Sequence, residues 1–139
     1  MEDRYLYKAK TTPKEKGEFN NVWVTGNLIV SNGKYYIHPV GNVVNVKNET
    51  GRIIVMHEVI PDTICRCTGR EDINGKLIWE NDIVKINNSK VNTLITFRDF
   101  EIICTIPNEK YYKHRLEYDN EYEVIGNIFD NPELLEVQE

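Results

Sequence analysis

Three cysteines and one histidine are the residues in this chain most suited to binding a metal. Cys65 and Cys67 are one residue apart, and Cys104 and His57 lie on other segments. Side chains alternate between the two faces of a strand, so Cys65 and Cys67 share a face and could form a tetrahedral zinc site with the other two. However, zinc sites usually pair cysteines as C-x2-C, and no second pair exists. We therefore interpret the thiols as small buried hydrophobic groups and predict no metal site.

Two carboxylates, Glu80 and Asp82, form a second candidate for chemistry, as metal ligands or as an acid and base pair. Both lie beside a turn, which favours a structural role instead. Asp82 is expected to bind backbone N–H groups where a strand begins, and Asp72 to bind those of the Asn74-Gly75 turn. No nucleophile, base and orienting group can be assigned together, and no phosphate-binding Gly-rich loop is present. The sequence predicts a non-enzymatic protein with no catalytic residues and no cofactor.

One short basic and aromatic segment has the composition of a binding loop. Side chains that stack on bases and cations that bind phosphates occur together there, at Lys110, Tyr111, Tyr112, Lys113 and Arg115. The segment between residues 107 and 115 is expected to be a loop or a short helix. Packing of the tyrosines in a core or an oligomer interface is the alternative interpretation.

The stretch between Pro61 and Ile86 is expected to set the architecture around these residues. It reads as a strand over 63–68 that ends at Gly69, a type I′ hairpin turn at Asn74-Gly75, and strands over 77–79 and 83–86. Asn-Gly favours this turn because both central residues need a positive φ.

Turn residues separate short β-rich segments along the rest of the chain. Asn32-Gly33 predicts a second hairpin, and Gly26 within an apolar run predicts a bulge or bend. Asn131-Pro132-Glu133 is typical of a helix start, with Asn131 as the N-cap. Together these patterns predict an all-β fold: a β-rich subdomain over 1–60 and a small SH3-like barrel or meander over 61–139 with a short C-terminal helix, or one composite domain.

The central stretch resembles the signature of the YopX family, whose proteins occur in bacteriophages, prophages and other mobile elements. The residues that match the family pattern are Thr68, Gly69, Asp72, Asn74, Gly75, Ile78, Trp79, Glu80, Asp82, Ile83 and Val84. Cys67 stands where the family has Tyr, Arg70 replaces Leu, and Asn81 replaces Gly. Since Asn tolerates the left-handed region nearly as Gly does, the Asn81 change keeps the turn chemistry. A second match, from Tyr122 to Leu135, resembles the closing motif of the family. The resemblance carries no assigned biochemical activity.

Charge is distributed unevenly over the 139 residues, whose net charge is −5. Residues 1–60 hold 8 Lys/Arg and 6 Asp/Glu, whereas residues 61–139 hold 9 and 16. The acidic second part repels a phosphate backbone and would favour a basic protein partner. We favour the simpler interpretation, a solvated acidic surface that keeps the protein in solution. With no long apolar run and no apolar leader at the N-terminus, we expect a cytoplasmic protein without a membrane partner.

Two functional hypotheses from different classes follow. The first is a non-enzymatic interaction module that forms homo-oligomers and binds a host or phage protein, with Leu134-Leu135 docking on a neighbouring subunit. The alternative is a small-barrel nucleic-acid-binding protein that uses the 110–115 segment, with charge from Lys8, Lys10, Lys14 and Lys16.

Overall fold

The structure, a computed structural model, describes residues 6–13, 21–39, 46–48, 51–53, 56–98, 101–106, 113–117 and 119–136. Regular structure in these ranges is almost entirely antiparallel β-strand, which confirms the predicted all-β class. The chain forms two compact units, Asp3–Arg66 and Cys67–Glu139. The predicted subdomains over 1–60 and 61–139, or one composite domain, stay a prediction. None of the helices in the described part is long and apolar enough to cross a membrane.

The first unit is a set of antiparallel strands in the order β6-β3-β2-β1. Its strands are β1 (Tyr7–Lys10), β2 (Trp23–Ser31), β3 (Lys34–Pro39), β4 (Val46–Asn48), β5 (Gly51–Ile53) and β6 (His57–Glu58). Of these, β4 and β5 pair with each other as a separate two-stranded sheet. Backbone bonds from Thr12 N to Glu58 O and from Ile60 N to Lys10 O join β6 to the end of β1. Ala9, Ile37 and Val59 form the buried centre of this unit.

The Asn32-Gly33 hairpin joins β2 to β3 as predicted. Both residues have positive φ angles, 52° and 74°, which is the backbone geometry of a type I′ turn. The strand ladders show no register shift at Gly26, which pairs with Tyr7 of β1 and with Pro39 at the end of the β2–β3 ladder, so the predicted bulge is wrong. The alternative of a bend stays a prediction. Gly26 is needed for a different reason. The backbone of His38 and Pro39 passes so close that a Cβ atom at this position would overlap the His38 carbonyl.

The second unit begins within β7 (Cys65–Glu71), which pairs with β8 (Leu77–Trp79) as a hairpin. The other strands form an antiparallel sheet in the order β12-β11-β10-β9-β13, with β9 (Asp82–Ile86), β10 (Asn92–Arg98), β11 (Glu101–Thr105), β12 (Lys113–Arg115) and β13 (Tyr122–Asn127). Ile78, Val84, Ile95, Cys104 and Tyr122 are buried together between these elements. The SH3-like barrel form of this unit stays a prediction.

Two terminal features of the second unit differ from expectation. Residues 113–115 form a strand that pairs with β11, not a loop or a helix. The C-terminal helix is one 3-10 turn, Pro132–Leu135, and the Asn131 side chain does not cap it. Instead, Asn131 Oδ1 accepts a hydrogen bond from Asn127 N at 3.2 Å. The turn packs on β10, where Asn92 Nδ2 donates to Leu134 O at 2.7 Å.

We expect Gly26→Ala to destabilise the first unit, because the added methyl group meets backbone atoms that cannot rotate away. Overpacking of this kind costs about 1–3 kcal/mol of unfolding free energy. Urea titration of the purified protein would measure it. Gly33→Asn is the matched control, since space around Gly33 is open and Asn accepts its positive φ. Equal stability of the Gly26→Ala variant and the control would contradict this account.

Candidate functional site

The Asp72 carboxylate joins the two segments that match the family pattern. Its Oδ1 accepts hydrogen bonds from Asn74 N and Lys76 N, both at 2.9 Å. Its Oδ2 accepts a third from Val124 N at 3.0 Å, 52 residues further along the chain. Asp72 is 8% exposed, so these bonds replace most of the water that an ionised carboxylate would otherwise hold. The interaction therefore fixes the turn after β7 onto the edge of β13.

Competing effects act on the pKa of Asp72. Burial, the largest single effect, raises it, while the hydrogen bonds from Val124, Lys76 and Asn74 and the charge of Lys76 lower it. The net result is a pKa below the ordinary value for aspartate. The folded protein therefore favours the ionised form of this carboxyl group.

The turn that Asp72 begins is not the predicted type I′ turn. Of Asn74-Gly75, only Gly75 has a positive φ, 77°. Gly75 N donates to Asp72 O at 3.0 Å, and Asp72 N donates to Lys76 O at 2.7 Å. These bonds define a three-residue loop, with a β-turn followed by one left-handed glycine. Asp72 favours this loop because its side chain accepts hydrogen bonds from one N–H group inside the loop, that of Asn74, and from that of Lys76, which closes it.

The next turn follows the chemistry that its residues predict. Asn81, which stands where the family has Gly, has a φ of 72°. Asp82 is 2% exposed, and its Oδ2 accepts a hydrogen bond from Trp79 N at 2.8 Å as β9 begins. A carboxylate engaged in this way positions the backbone, which supports the structural interpretation of Asp82 over an acid and base pair with Glu80.

Gly69 does not end β7, contrary to expectation. With a φ of 78° it lies inside a bulge, where the strand register shifts between Cys67 and Glu71 and the chain continues. Thr68 Oγ1 donates to Ile78 O at 2.7 Å and accepts from Arg70 N at 3.1 Å. The bulge thereby sets the position of the Arg70 side chain.

Arg70 clamps the segment that leads into β13. Its Nη1 donates to Glu117 O at 2.8 Å and its Nη2 to Asn120 O at 2.7 Å, while the guanidinium lies 5.0 Å from the centre of the Tyr122 ring. The Tyr122 hydroxyl in turn accepts a bond from Glu117 N at 3.0 Å. Sequence reasoning missed this clamp, because nothing local to Arg70 indicates its distant partners.

The cysteines are buried, as interpreted from the sequence. Cys65 Sγ donates to Thr63 O at 3.2 Å, and Cys67 Sγ accepts from Gly69 N at 3.4 Å. Burial raises the pKa of Cys104 to about 11, which keeps it a neutral thiol near pH 7. Among the described side chains, no three His, Cys, Asp or Glu residues cluster closely enough to hold a metal ion.

The predicted binding segment is only partly within the described residues. Lys110, Tyr111 and Tyr112 lie outside them, and Lys113 is described only as part of the backbone of β12. Arg115 Nη2 lies 2.9 Å from Glu101 Oε1 on the surface. Exposed ion pairs of this kind contribute little to stability.

A cleft of about 280 Å³ lies beside the Asp72 turn and was missed by sequence reasoning. Its walls include Ile73, Lys85, Glu121 and Glu123. Ile73 is 55% exposed, in a turn whose other residues after the buried Asp72 are also exposed, and its N donates to Tyr122 O at 2.9 Å. The available signal was an isoleucine between Asp72 and Asn74, where loops usually carry polar residues.

Replacing Asp72 by Asn should destabilise the protein by about 1–3 kcal/mol at pH 7. Whichever way the amide is turned, its NH2 group meets a backbone N–H that now lacks an acceptor. Because the pKa of Asp72 is lower when folded than when unfolded, its stabilisation is present above about pH 4 and is lost as the pH falls through the folded value. Denaturant titrations at a series of pH values would test this. The difference in unfolding free energy between the wild type and Asp72→Asn should become smaller below about pH 4. The exposed control Asp119→Asn should have nearly the unfolding free energy of the wild type throughout the series.

Arg70→Leu should loosen the segment before β13 without unfolding the sheet. The loss of two charge-assisted hydrogen bonds is expected to speed hydrogen exchange at the Glu117 amide about tenfold, equivalent to roughly 1.4 kcal/mol. Exchange followed by NMR would measure it. Arg70→Lys should be intermediate, since one ammonium cannot reproduce the two-pronged geometry. Unchanged exchange in Arg70→Leu would show that the clamp contributes nothing.

Comparison with known protein families assigns this chain to a family. A family model described as YopX protein matches residues 4–136 of the 139. No curated protein matches the chain. The match extends well beyond the two motifs and includes the strands of both units. The chain therefore belongs to the YopX family.

Proposed function

We propose that this YopX-family protein is a non-enzymatic interaction module that self-associates and binds a host or phage protein with a basic surface. The observation that carries the proposal is the cleft of the second unit. There an exposed isoleucine, Ile73, lies beside two carboxylates, Glu121 and Glu123. An apolar anchor with a charged rim is the usual composition of a protein-binding surface.

The charges of the cleft favour a cationic partner. Lys85 lies opposite Glu123 in the ladder between β9 and β13, yet within the described residues no ion pair within 4 Å joins Lys85 to Glu121 or Glu123. Two carboxylates therefore face one ammonium group, in a unit that is itself acidic. A lysine or arginine of a partner would meet complementary potential there.

The rigidity of the cleft also supports binding. Ile73 N is bonded to Tyr122 O, and the residues on either side are fixed by the Asp72 carboxylate. A backbone segment held in place before binding loses little conformational entropy when a partner covers it. The turn thus presents Ile73 in an arrangement that favours association.

The carboxylates of the central motif support the non-enzymatic part of the proposal. Asp72 and Asp82 are buried and accept hydrogen bonds from backbone N–H groups. The raised pKa of Cys104 disfavours a thiolate nucleophile. These groups are engaged in holding turns and filling the core.

Self-association is proposed through side chains, not through strand addition at β13 or docking of Leu134-Leu135. The Asp72 turn already occupies Tyr122 O and Val124 N at the outer edge of β13. Leu134 and Leu135 are half-buried, and the Leu134 carbonyl binds Asn92 of the same unit. Oligomerisation by exposed apolar side chains outside the cleft, such as Val22 and Val91, fits these contacts better.

Ile73→Ser should reduce recovery of the protein partner about tenfold in a nuclease-treated affinity purification from the bacterial host. Losing one apolar anchor typically costs more than 1 kcal/mol of binding free energy. Quantitative mass spectrometry would compare it with the wild type and with Val30→Ser, a control that alters an equally exposed side chain of the first unit.

Light scattering on the same samples would test self-association, for which a mass above 16.3 kDa is expected at micromolar concentration. Equal partner recovery by wild type and Ile73→Ser would rule out the cleft as the binding site. A monomer at all concentrations would rule out self-association.

A further inference from the structure

One face of the first unit combines cations with aromatic rings. Alternation along β1, β2 and β3 directs Ala9, Val24 and Ile37 toward the core, and their neighbours toward the other side. The lysine–aromatic face, as we name that side, includes Lys8, Lys10, Trp23, Lys34, Tyr36 and His38.

Two of these cations already contact an aromatic ring. Lys8 Nζ lies 4.7 Å and Lys10 Nζ 5.4 Å from the centre of the Trp23 ring. Both distances are within the range of a cation–π interaction. The indole therefore presents a π surface to ammonium groups at the β1 end of the face.

The second aromatic group lies further along β2. Tyr36 is opposite Ile29, six residues beyond Trp23, which corresponds to about 20 Å at the usual rise of a strand. Lys34 follows at the end of the same track, opposite Ser31. A lysine and an aromatic ring therefore occur at both ends of the lysine–aromatic face, about 20 Å apart, a distance that several nucleotides of a single strand would span.

We infer that the lysine–aromatic face binds single-stranded nucleic acid. Bases stack on Trp23 and Tyr36, and phosphates are bound by Lys8, Lys10 and Lys34. A base that stacks on Trp23 takes the place of a lysine over the ring, and the displaced ammonium pairs with the adjacent phosphate. Stacking tolerates any base, so the binding has little sequence preference.

The distribution of charge favours this ligand for the first unit only. Residues 1–60 carry more Lys/Arg than Asp/Glu, in contrast to residues 61–139. The carboxylate of Glu58, opposite Tyr36 in the ladder between β3 and β6, lies 3.9 Å from Lys34 Nζ. The Lys34 side chain is 61% exposed and that of Glu58 30% exposed, so the lysine can leave this long ion pair for a phosphate at little cost. This activity is distinct from protein binding at the cleft of the second unit.

Fluorescence polarisation with a labelled oligo-dT of about 15 nucleotides would test the inference. Binding should weaken steeply between about 20 and 200 mM salt. The Lys8→Gln/Lys10→Gln variant should lose about tenfold in affinity at low salt and reduce the salt slope by about 1.4. Lys90→Gln, an exposed change in the second unit, is the matched control and should leave both quantities unchanged.

The stacking step has its own readout. Trp79 is 7% exposed, so quenching of tryptophan fluorescence by the oligonucleotide should report on Trp23. Trp23→Leu should abolish the quenching and weaken binding while the salt slope stays the same. Circular dichroism would confirm that each variant folds, and Ile73→Ser should bind as the wild type does.

Three results would overturn the inference. The first is no binding at 20 mM salt, which is about the lowest useful concentration. The second is binding that neither the lysine nor the Trp23 variant weakens. The third is equal competition by polyglutamate of matched charge, which would identify an acidic protein as the ligand instead.

Discussion

A buried carboxylate needs hydrogen-bond donors, and the way Asp72 obtains them organises the second unit. Two donors come from its own turn, and the third comes from Val124 on β13. The hydrogen bond from Val124 N is the one that links the Asp72 side chain, in the hairpin of β7 and β8, to β13 at the edge of the sheet. The same interaction covers the outer edge of β13 and orients Ile73 toward the cleft. Coverage of the β13 edge and the position of Ile73, which we propose as a binding residue, therefore depend on one charged group.

Local chemistry could be predicted from the sequence where a residue and its neighbours suffice to set the backbone. Asn32-Gly33 and Asn81 adopt the left-handed geometry that their types favour, and Asp82 binds the N–H of a residue only three positions away. Prediction from the sequence failed where a segment distant along the chain determines what a residue does. The close approach of His38 explains Gly26, and the partners of Arg70 lie about fifty residues away. The Asn74-Gly75 turn differs from the predicted type I′ turn because the Asp72 carboxylate accepts a hydrogen bond from Asn74 N and so favours a different loop conformation.

The candidate sites also divide into those that local sequence predicts and those that depend on distant segments. The structural roles of the cysteines and of Asp82 follow from their apolar or turn positions in the sequence. The cleft, in contrast, is formed by residues of β9, β13 and one hairpin loop, which are far apart along the chain. Three residues of the predicted 110–115 segment lie outside the described part of the chain. Lys8 and Lys10 lie beside Trp23 because of the register between β1 and β2, which cannot be predicted from the local sequence. We propose different ligands for the two units because residues 1–60 carry more Lys/Arg than Asp/Glu and residues 61–139 carry fewer.

The most direct test of the central role of Asp72 is an NMR titration that follows its side-chain carboxyl carbon together with three backbone amides. The amide protons of Asn74, Lys76 and Val124 should all shift with the carboxyl carbon, with one apparent pKa below about 3.9, the ordinary value for aspartate. A Val124 amide that ignores the titration, or an Asp72 pKa at or above the ordinary value, would contradict the account. The first result would show that Asp72 does not link the two family motifs. The second would show that the three hydrogen bonds do not outweigh the effect of burial on the pKa of Asp72.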